Sequence, residues 1–204
     1  HTLEQELGLA ENNIALPDIG GIFELKAARK GTSSMLTLFT KEPLSDHGRK
    51  RDKFLLNTFG YSSNKSGRTL DLYTTITANE FNAQGFKLEA DGELLRIVHR
   101  DIPIDVYWTY ELLKQAFESK LPSLIFVLAE CRGDGYNEEF YYNEAYLLKD
   151  FDFSGFINAI NKGFIKVDLR MHLKETGVPR NHGTAFRIVK SAIPFCFSKR
   201  ERIL

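Results

Sequence analysis

The sequence predicts a mixed α/β (α+β) fold, in which helices flank a central mixed β-sheet. Three observations lead to this expectation. Apolar runs of strand length alternate with amphipathic helical segments along the 204 residues. The run L-I-F-V-L-A at residues 124–129 is continuously apolar, as expected for a central strand covered on both faces. The length suits one domain, or one domain with a small appended lobe.

The first part of the chain begins with a helix, expected over residues 2–13 because its apolar residues fall on one side. A Pro/Gly turn at residues 17–21 leads into a strand at 22–28. A second strand at 35–40 is expected to form a hairpin with the first. The polar and basic residues 41–69 are interpreted as a long excursion, which in compact domains is usually functional or disordered.

The later elements are expected in a regular order. Strands are predicted at residues 70–77, 85–90 and 94–99, a helix at 107–120, a strand at 124–129, a helix at 152–161, and strands at 164–171 and near 184–189. A Gly/Pro/His loop separates the last two strands. Residues 1–150 are expected to form the core of the protein, and residues 151–204 a C-terminal region with a separate role.

One short motif points to chemistry. The stretch L-P-D-I-G-G-I-F-E-L-K at residues 16–26 places Asp18 in a turn just before a strand that carries Glu24 and Lys26. Side chains alternate along a strand, so Glu24 and Lys26 point the same way. Two hard oxygen ligands and an ammonium can bind Mg²⁺, orient a water molecule and neutralise a phosphate.

The same residue types also occur together by chance, so the motif indicates a metal site only when the predicted secondary structure around it is suitable. Asp105 followed by Glu118-Ser119-Lys120 matches the pattern too, but within a predicted helix. Glu118 and Lys120 would point about 200° apart there, which predicts a solvated helix face. The structural alternatives for the first motif are a turn cap at Asp18 and an exposed strand face at Glu24 and Lys26.

The charge is distributed unevenly although the net charge is zero. Residues 41–68 hold seven Lys/Arg against three Asp/Glu, residues 166–204 hold nine against three, and the segment 69–165 holds eight against sixteen. Two basic segments flanking an acidic one can form one positive face suited to nucleic acid. Ordinary solvated loops are the alternative.

Other features argue against a membrane or secreted protein. The sequence has no apolar run long enough to cross a bilayer and no signal-peptide pattern at its start. Its two cysteines, Cys131 and Cys196, do not form a disulfide framework. We therefore expect a location in the cytoplasm.

Taken together, five segments resemble the MvaI/BcnI restriction endonucleases, the MutH-like branch of the PD-(D/E)xK nucleases. The resemblance lies in the motif Asp18, Glu24 and Lys26 and in residues 2–13, 34–43, 105–110 and 166–171 followed by 181–188. Because these segments occur in the family's order over almost the whole chain, the set is specific although each piece is weak. The resemblance implies a PD-(D/E)xK core at 1–150, with a basic DNA-contacting excursion at 41–69, and a small DNA-recognition lobe at 151–204.

The resemblance also implies a metal-dependent active site. Asp18 and Glu24 would bind Mg²⁺, for which Mn²⁺ can substitute, with the backbone carbonyl of Leu25 as a further ligand. Lys26 would position or deprotonate the attacking water. Glu4 would complete the acidic cluster, with a surface glutamate on a helix as the alternative. The gap between Asp18 and Glu24 is one residue longer than the family pattern, which Gly20 and Gly21 could absorb as a bulge.

Base recognition is expected from the C-terminal region. Asp168 and Arg170 lie two apart on a strand and could read a G·C pair together, or form a cross-strand salt bridge instead. By resemblance His182 and Arg187 stand at base-reading positions, with a loop histidine as the alternative for His182. Arg180, also expected to bind DNA, stands where the family pattern has a histidine. Lysines are expected to contact the DNA backbone, namely Lys166 and Lys41.

The function implied is that of a prokaryotic, site-specific type II endonuclease acting on double-stranded DNA. The family pattern predicts a short G·C-rich CC-N-GG-like site, a monomeric enzyme and a cognate cytosine methyltransferase in the same system. Two alternatives stay open. One is a MutH-like nicking enzyme that depends on a partner, and the other is a non-catalytic DNA-binding relative.

Overall fold

The structure is a computed structural model, and it describes residues 2–8, 17–133 and 135–204. The α-helices of these residues are α1 (Thr2–Glu6), α2 (Arg51–Phe59), α3 (Tyr110–Lys120) and α4 (Phe153–Asn161). The strands of the first half are β1 (Phe23–Arg29), β2 (Met35–Thr40), β3 (Tyr61–Ser62), β4 (Arg68–Ile76), β5 (Phe86–Ala90), β6 (Leu94–His99) and β7 (Val106–Thr109). Those of the second half are β8 (Ser123–Arg132), β9 (Glu139–Phe151), β10 (Ile165–Lys174), β11 (Pro179–Asn181), β12 (Ala185–Val189) and β13 (Phe197–Arg202).

The first sheet carries the candidate catalytic strand at its edge. Its strand order is β1-β8-β9-β13, with β1 parallel to β8 and the other pairs antiparallel. The register places Glu24 opposite Leu124, so both strands begin at the same end of the sheet. Leu124 is fully buried, and the apolar run predicted as an interior strand is confirmed. The predicted mixed α/β fold with a mixed sheet is also confirmed.

The second sheet is antiparallel and presents one polar face. Its order is β2-β12-β10-β4-β3, with β11 added beside β10. Along β10, Val167, Leu169 and Met171 are buried in the hydrophobic core. Because side chains alternate along a strand, Asp168 and Arg170 lie on the opposite face. That face holds the residues predicted to read DNA.

An aromatic core joins the sheets to helices α3 and α4. Phe39 of β2 stacks on Phe186 at 4.7 Å between ring centroids and contacts Phe117 and Phe156 edge-on or tilted. Trp108 packs edge-on against Phe186 at 5.2 Å. Rings in these geometries gain more than their buried area alone provides. The core therefore fixes α3 relative to both larger sheets, while β5, β6 and β7 form a third, smaller sheet.

The predicted hairpin between the first two long strands is wrong. β1 pairs with β8, whereas β2 pairs with β12 in the other sheet. Contacts made by each of the two strands explain why they do not pair with each other. The Leu25 N–H on β1 donates to Asp18 rather than to a neighbouring strand, and Leu38 and Phe39 of β2 are buried in the aromatic core. The short turn between the two strands indicated a hairpin, but the packing of β2 in the aromatic core places the strands in different sheets.

Several other boundaries differ from the sequence expectations. The excursion at 41–69 contains α2, which is held by the buried Leu55 and Leu56. The helix expected from residue 107 begins at Tyr110, because Val106 and Trp108 alternate inward as a strand. Strands β9 and β13 were not predicted. The helix expected over 2–13 ends at Glu6, and residues 9–13 lie outside the described residues.

Two further observations concern membrane-spanning helices and the division of the chain at residue 150. Within the described residues, no helix has the length and apolarity needed to cross a membrane. Strands from before and after residue 150 pair with one another, as β10 does with β4 and β13 with β9. The division of roles between residues 1–150 and 151–204 stays a prediction.

Candidate active site and DNA-reading face

A tight turn brings Asp18 back against the strand that follows it. Gly20 and Gly21 have φ angles of 59° and 67°, which a residue with a side chain adopts only at a cost. The turn is closed by two hydrogen bonds between Ile19 and Phe23, of 2.9 and 3.1 Å. The Leu25 N–H then donates to Asp18 Oδ2 at 2.9 Å. The glycine pair, expected as a bulge, therefore forms the turn that aims Asp18 at the free edge of β1.

Glu24 is a buried carboxylate with a lysine beside it. Its residue is 3% exposed, and Lys26 Nζ lies 2.9 Å from Oε1. The two side chains thus share one face of β1, as their spacing predicted. A buried carboxylate is costly unless a cation or hydrogen bonds compensate it. The Lys26 ammonium supplies part of that compensation.

A second lysine approaches Glu24 from helix α3. Lys120 Nζ lies 2.9 Å from Glu24 Oε2. Among the described residues this oxygen has no hydrogen bond of acceptable geometry, so the contact is ionic rather than a directed hydrogen bond. The expectation of a solvated face is right for Glu118, which is exposed, and wrong for Lys120. Helix α3 ends three residues before β8, and β8 begins beside β1, which delivers Lys120 to the site.

Glu4 shares a cavity with Lys26. The cavity has a volume of about 230 Å³, and its lining includes Glu4, Lys26 and Thr37. Leu3 packs on the small cluster formed by Leu25 and its neighbours, which places the first turn of α1 there. No group of three or more His, Cys, Asp or Glu side chains converges tightly enough to hold a metal within the described part of the chain. The site therefore has Glu24 on β1 and Asp18 in the turn before it, and Glu4 lines the cavity that reaches Lys26.

The face that holds the residues predicted to read DNA is organised around Asp168. Thr75 Oγ1 donates to Asp168 Oδ1 at 2.7 Å, and Arg187 Nη1 donates to Oδ2 at 3.0 Å. The cross-strand salt bridge therefore joins Asp168 to Arg187 rather than to Arg170. Lys166 lies directly opposite Arg187 on the neighbouring strand. Both oxygens of Asp168 are occupied, so its role here is to hold Arg187.

Arg170 supports the loop that carries His182. Its Nε donates to the Gly183 carbonyl at 3.1 Å, and its Nη2 donates to the His182 carbonyl at 3.2 Å. Glu42 holds the same loop from the other side, accepting from Thr184 N at 2.9 Å. The backbone N–H of Lys41 donates to the Thr184 carbonyl at 2.9 Å, so the Lys41 side chain starts beside this loop.

Two histidines meet on this face. His182 Nε2 lies 3.3 Å from His172 Nδ1, and Arg68 lies near both rings. Burial and the nearby Arg68 lower the pKa of His172. Burial and the positive charges of Arg180, Arg68 and Arg170 lower the pKa of His182. Both imidazoles are therefore biased toward the neutral form, which can accept as well as donate a hydrogen bond.

Sequence reasoning missed four residues of these two surfaces. They are Lys120, Glu42, Thr75 and His172. His172 follows Asp168 and Arg170 at the strand period of two, and that signal could have identified it. No local signal marks Lys120, Glu42 or Thr75, because each meets its partner across a long stretch of chain.

The two basic segments of the sequence contact each other in the structure, and the candidate catalytic site lies next to the face around Asp168. Helix α2, from the first basic segment, contacts β10 and β11 of the second, where the exposed Arg180 lies. Thr37 pairs with Arg187 in the register of β2 and β12, and it also lines the cavity that contains Lys26. One strand therefore connects the candidate catalytic site with the candidate reading face.

The fold and the site agree with a restriction endonuclease, and comparison with known proteins supplies the family. The family model for the MvaI/BcnI restriction endonuclease family matches residues 1–197. The chain belongs to the MvaI/BcnI restriction endonuclease family. No curated protein sequence matches it.

Solved structures of one restriction endonuclease have the same fold. MvaI in complex with its cognate DNA substrate is 26% identical, with a TM-score of 0.80 over 100% of this chain and 86% of that chain. MvaI in the absence of DNA is 24% identical, with a TM-score of 0.65 over 100% of this chain and 84% of that chain, and this likeness shows the fold alone.

Proposed function

We propose that the protein is a Mg²⁺-dependent type II restriction endonuclease that cuts double-stranded DNA at a short G·C-rich, CC-N-GG-like site. The observation that carries the proposal is the buried Glu24, set between two lysines on the strand whose backbone holds Asp18, in a chain of this family. An ordinary surface strand would not bury a carboxylate there.

The donor atoms at β1 suit a hard divalent cation. Among the residues that the structure describes, Glu24 Oε2 is buried without a directed hydrogen bond, and Asp18 Oδ2 accepts from the Leu25 N–H. The N–H and C=O of one strand residue point to the same side, so the Leu25 carbonyl faces the edge where Asp18 lies. Carboxylate and carbonyl oxygens are the ligands that Mg²⁺ and Mn²⁺ prefer. A bound Mg²⁺ would supply Lewis-acid polarisation of the phosphate and a lower pKa for a coordinated water.

The residues of the chain would carry out the hydrolysis around that ion. Lys26 orients the water and stabilises the negative charge that develops on the phosphate oxygens. The water oxygen forms a bond to phosphorus and one ester P–O bond breaks, leaving a phosphate monoester on one end and a hydroxyl on the other. Glu4, in the cavity with Lys26, completes the acidic side of the site.

Base recognition would come from the polar face of the second sheet. The Arg187 side chain, held by Asp168, is 37% exposed, and arginine can fork onto guanine O6 and N7. His182, Arg180 and Arg170 border the same face, while Lys166 and Lys41 would contact phosphates. We expect a monomer located in the prokaryotic cytoplasm, with a cytosine methyltransferase in the same system protecting host DNA.

Digestion of unmodified plasmid DNA with and without Mg²⁺ tests the proposal. We expect discrete Mg²⁺-dependent fragments, with cut ends mapped by sequencing to one short site. Lys26→Ala should reduce cleavage about 10²–10³-fold, while Lys162→Ala, at an exposed lysine after α4, should cut normally. Nicked circles alone would support the MutH-like alternative. The absence of cleavage by wild type and variant alike would support a non-catalytic relative.

A further inference from the structure

A larger cavity lies where the two larger sheets are joined. Its volume of about 500 Å³ falls within the range of roughly 300–1,000 Å³ that is usual for small-molecule sites. It lies between two connections that run from one sheet to the other: residues 30–34, which link β1 to β2, and the 3₁₀ helix Lys190–Cys196, which links β12 to β13. Arg29 of its lining ends β1, whereas Glu24 lies at the start of that strand, about 17 Å away at the usual strand rise. The cavity is therefore separate from the candidate catalytic site.

The lining of this cavity is positively charged. Among the described residues it includes four cations and one carboxylate. Two of these cations, Arg29 and Lys30, are balanced by glutamates at 2.7 and 2.8 Å. Within the same described part of the chain, neither Lys190 nor Arg200 is in ion-pair contact with a carboxylate. Their two positive charges can therefore be matched by an anionic ligand.

The Lys190 ammonium is held in place and keeps a donor for such a ligand. It is half-buried, and it donates to the Arg29 carbonyl at 2.8 Å and to Thr32 Oγ1. An ammonium has three donors, and these contacts within the described chain use two. Burial and the nearby Arg29 lower the pKa of Lys190. Because charges attract more strongly away from bulk water, an anion gains more here than it would at a fully exposed lysine.

An aromatic ring, apolar side chains and hydroxyls complete the lining. The Arg200 guanidinium lies over the Tyr146 ring, 4.4 Å from its centroid. An arginine stacked in this way keeps the N–H groups at its edge available for an oxyanion. Apolar side chains form another part of the wall, namely Phe126, Leu128 and Pro194. Hydroxyl groups add polar contacts, namely those of Ser34 and Ser191. A ligand that fits this lining has an anionic group, a ring system and hydroxyls.

We propose that this cavity binds a nucleoside monophosphate, whose phosphate lies on Lys190 and Arg200 and whose base packs on the aromatic and apolar wall. A phosphate monoester carries nearly two negative charges at neutral pH, which matches the two cations. The same chemistry occurs in a free nucleotide and at the 5′-phosphorylated end of a DNA strand. The site goes beyond the proposed function and does not depend on it, because none of these residues takes part in the proposed cleavage.

Isothermal titration calorimetry with deoxyadenosine monophosphate (dAMP), without metal, tests the site. dAMP should bind more tightly than inorganic phosphate or deoxyadenosine, because each of these carries only part of the recognised group. Lys190→Met and Arg200→Met should each weaken dAMP binding about tenfold through the loss of a charge-assisted contact. Arg200 is exposed, so its variant keeps the test decisive if Lys190→Met does not fold.

Lys199→Met is the matched control. Lys199 precedes Arg200 on β13, but it pairs with Asp150 at 2.6 Å and does not line the cavity. The affinity of this variant for dAMP should equal that of wild type. An equal loss in Lys199→Met and Arg200→Met would mean that dAMP responds only to net charge, and it would overturn the proposal.

Hydrogen exchange locates the bound nucleotide. Protection by dAMP should fall on residues 30–34 and 190–200. Protection at residues 23–26 instead would place dAMP at the candidate catalytic site and overturn the proposal, as would no binding at millimolar dAMP. A 5′-phosphorylated trinucleotide distinguishes the two sources. Binding as tight as that of dAMP would identify the end of a DNA strand as the ligand, and much weaker binding would identify the free nucleotide.

Discussion

Arg187 donates to Asp168 across strands β12 and β10 at 3.0 Å, and Thr75 occupies the other oxygen of the same carboxylate at 2.7 Å. Asp168 is 7% exposed, so little of it can reach a base. Asp168 and Arg170 were expected to read a G·C pair together. The contacts favour a different division of roles, in which Asp168 orients Arg187 and Arg170 supports the His182 loop.

Arg187→Ala should weaken binding to the cognate DNA by about 1–3 kcal/mol and relax discrimination at one base pair. Asp168→Asn should weaken binding in the same way, because the neutral amide holds Arg187 less firmly. Fluorescence anisotropy with single-base variants of the site, without catalytic metal, measures both. If Asp168→Asn changes the preferred base at a position that Arg187→Ala leaves untouched, Asp168 contacts that base itself.

Glu42 should control how accurately the enzyme selects its site. Besides Thr184 N, its carboxylate accepts from Asn181 Nδ2 at 2.8 Å and pairs with Arg51 at 2.7 Å. Glu42→Ala should cost about 1–3 kcal/mol of unfolding free energy and increase cleavage at near-cognate sites, because the loop that carries His182 loses its anchor. Denaturant unfolding and digestion of single-base site variants test this. Glu42→Gln, which retains an acceptor, should lie between wild type and alanine, and equal accuracy of all three would contradict the role.

The histidine pair should make stability depend on pH. The pKa values of His172 and His182 are lowered from 6.5 in the folded protein, so the unfolded chain binds protons first as pH falls. Stability should therefore decrease as pH drops below about 6.5 and level off below the folded pKa values. The difference between wild type and His172→Gln in denaturant unfolding isolates this effect from that of the carboxylates. NMR titration should place both imidazole pKa values below 6.5, and a value above it for His172 would refute the prediction.

The two cysteines should differ in reactivity. Burial raises the pKa of the Cys196 thiol to about 12, whereas Cys131 is exposed on β8. A thiol reagent should therefore label one cysteine rapidly in the native protein and both after denaturation. Cys131→Ser should abolish the rapid reaction. Rapid labelling of Cys196 in folded protein would mean that this part of the core opens readily.

Local patterns predicted much of the fold and part of the site. The period of two along β1 and β10 placed Glu24 with Lys26, and Asp168 with Arg170, on common faces, because alternation depends only on neighbouring residues. Continuous apolarity identified β8 as an interior strand. Helix α2, by contrast, was not predicted within residues 41–69, because its two buried residues, Leu55 and Leu56, stand within an otherwise polar segment.

The sequence by itself therefore determined the strand that carries Glu24 and Lys26 and the turn that carries Asp18, together with the class of chemistry those residues suit. Only the tertiary structure decided which distant groups complete the two surfaces. Lys120 looked like a solvated helix residue, and it reaches Glu24 because α3 runs back to the starting end of the parallel pair β1 and β8. Strand β2 does not pair with β1, the partner expected from the sequence, because Phe39 of β2 is buried against Phe186. Such contacts depend on which nonlocal packing buries the most apolar surface, and no short stretch of sequence contains that information.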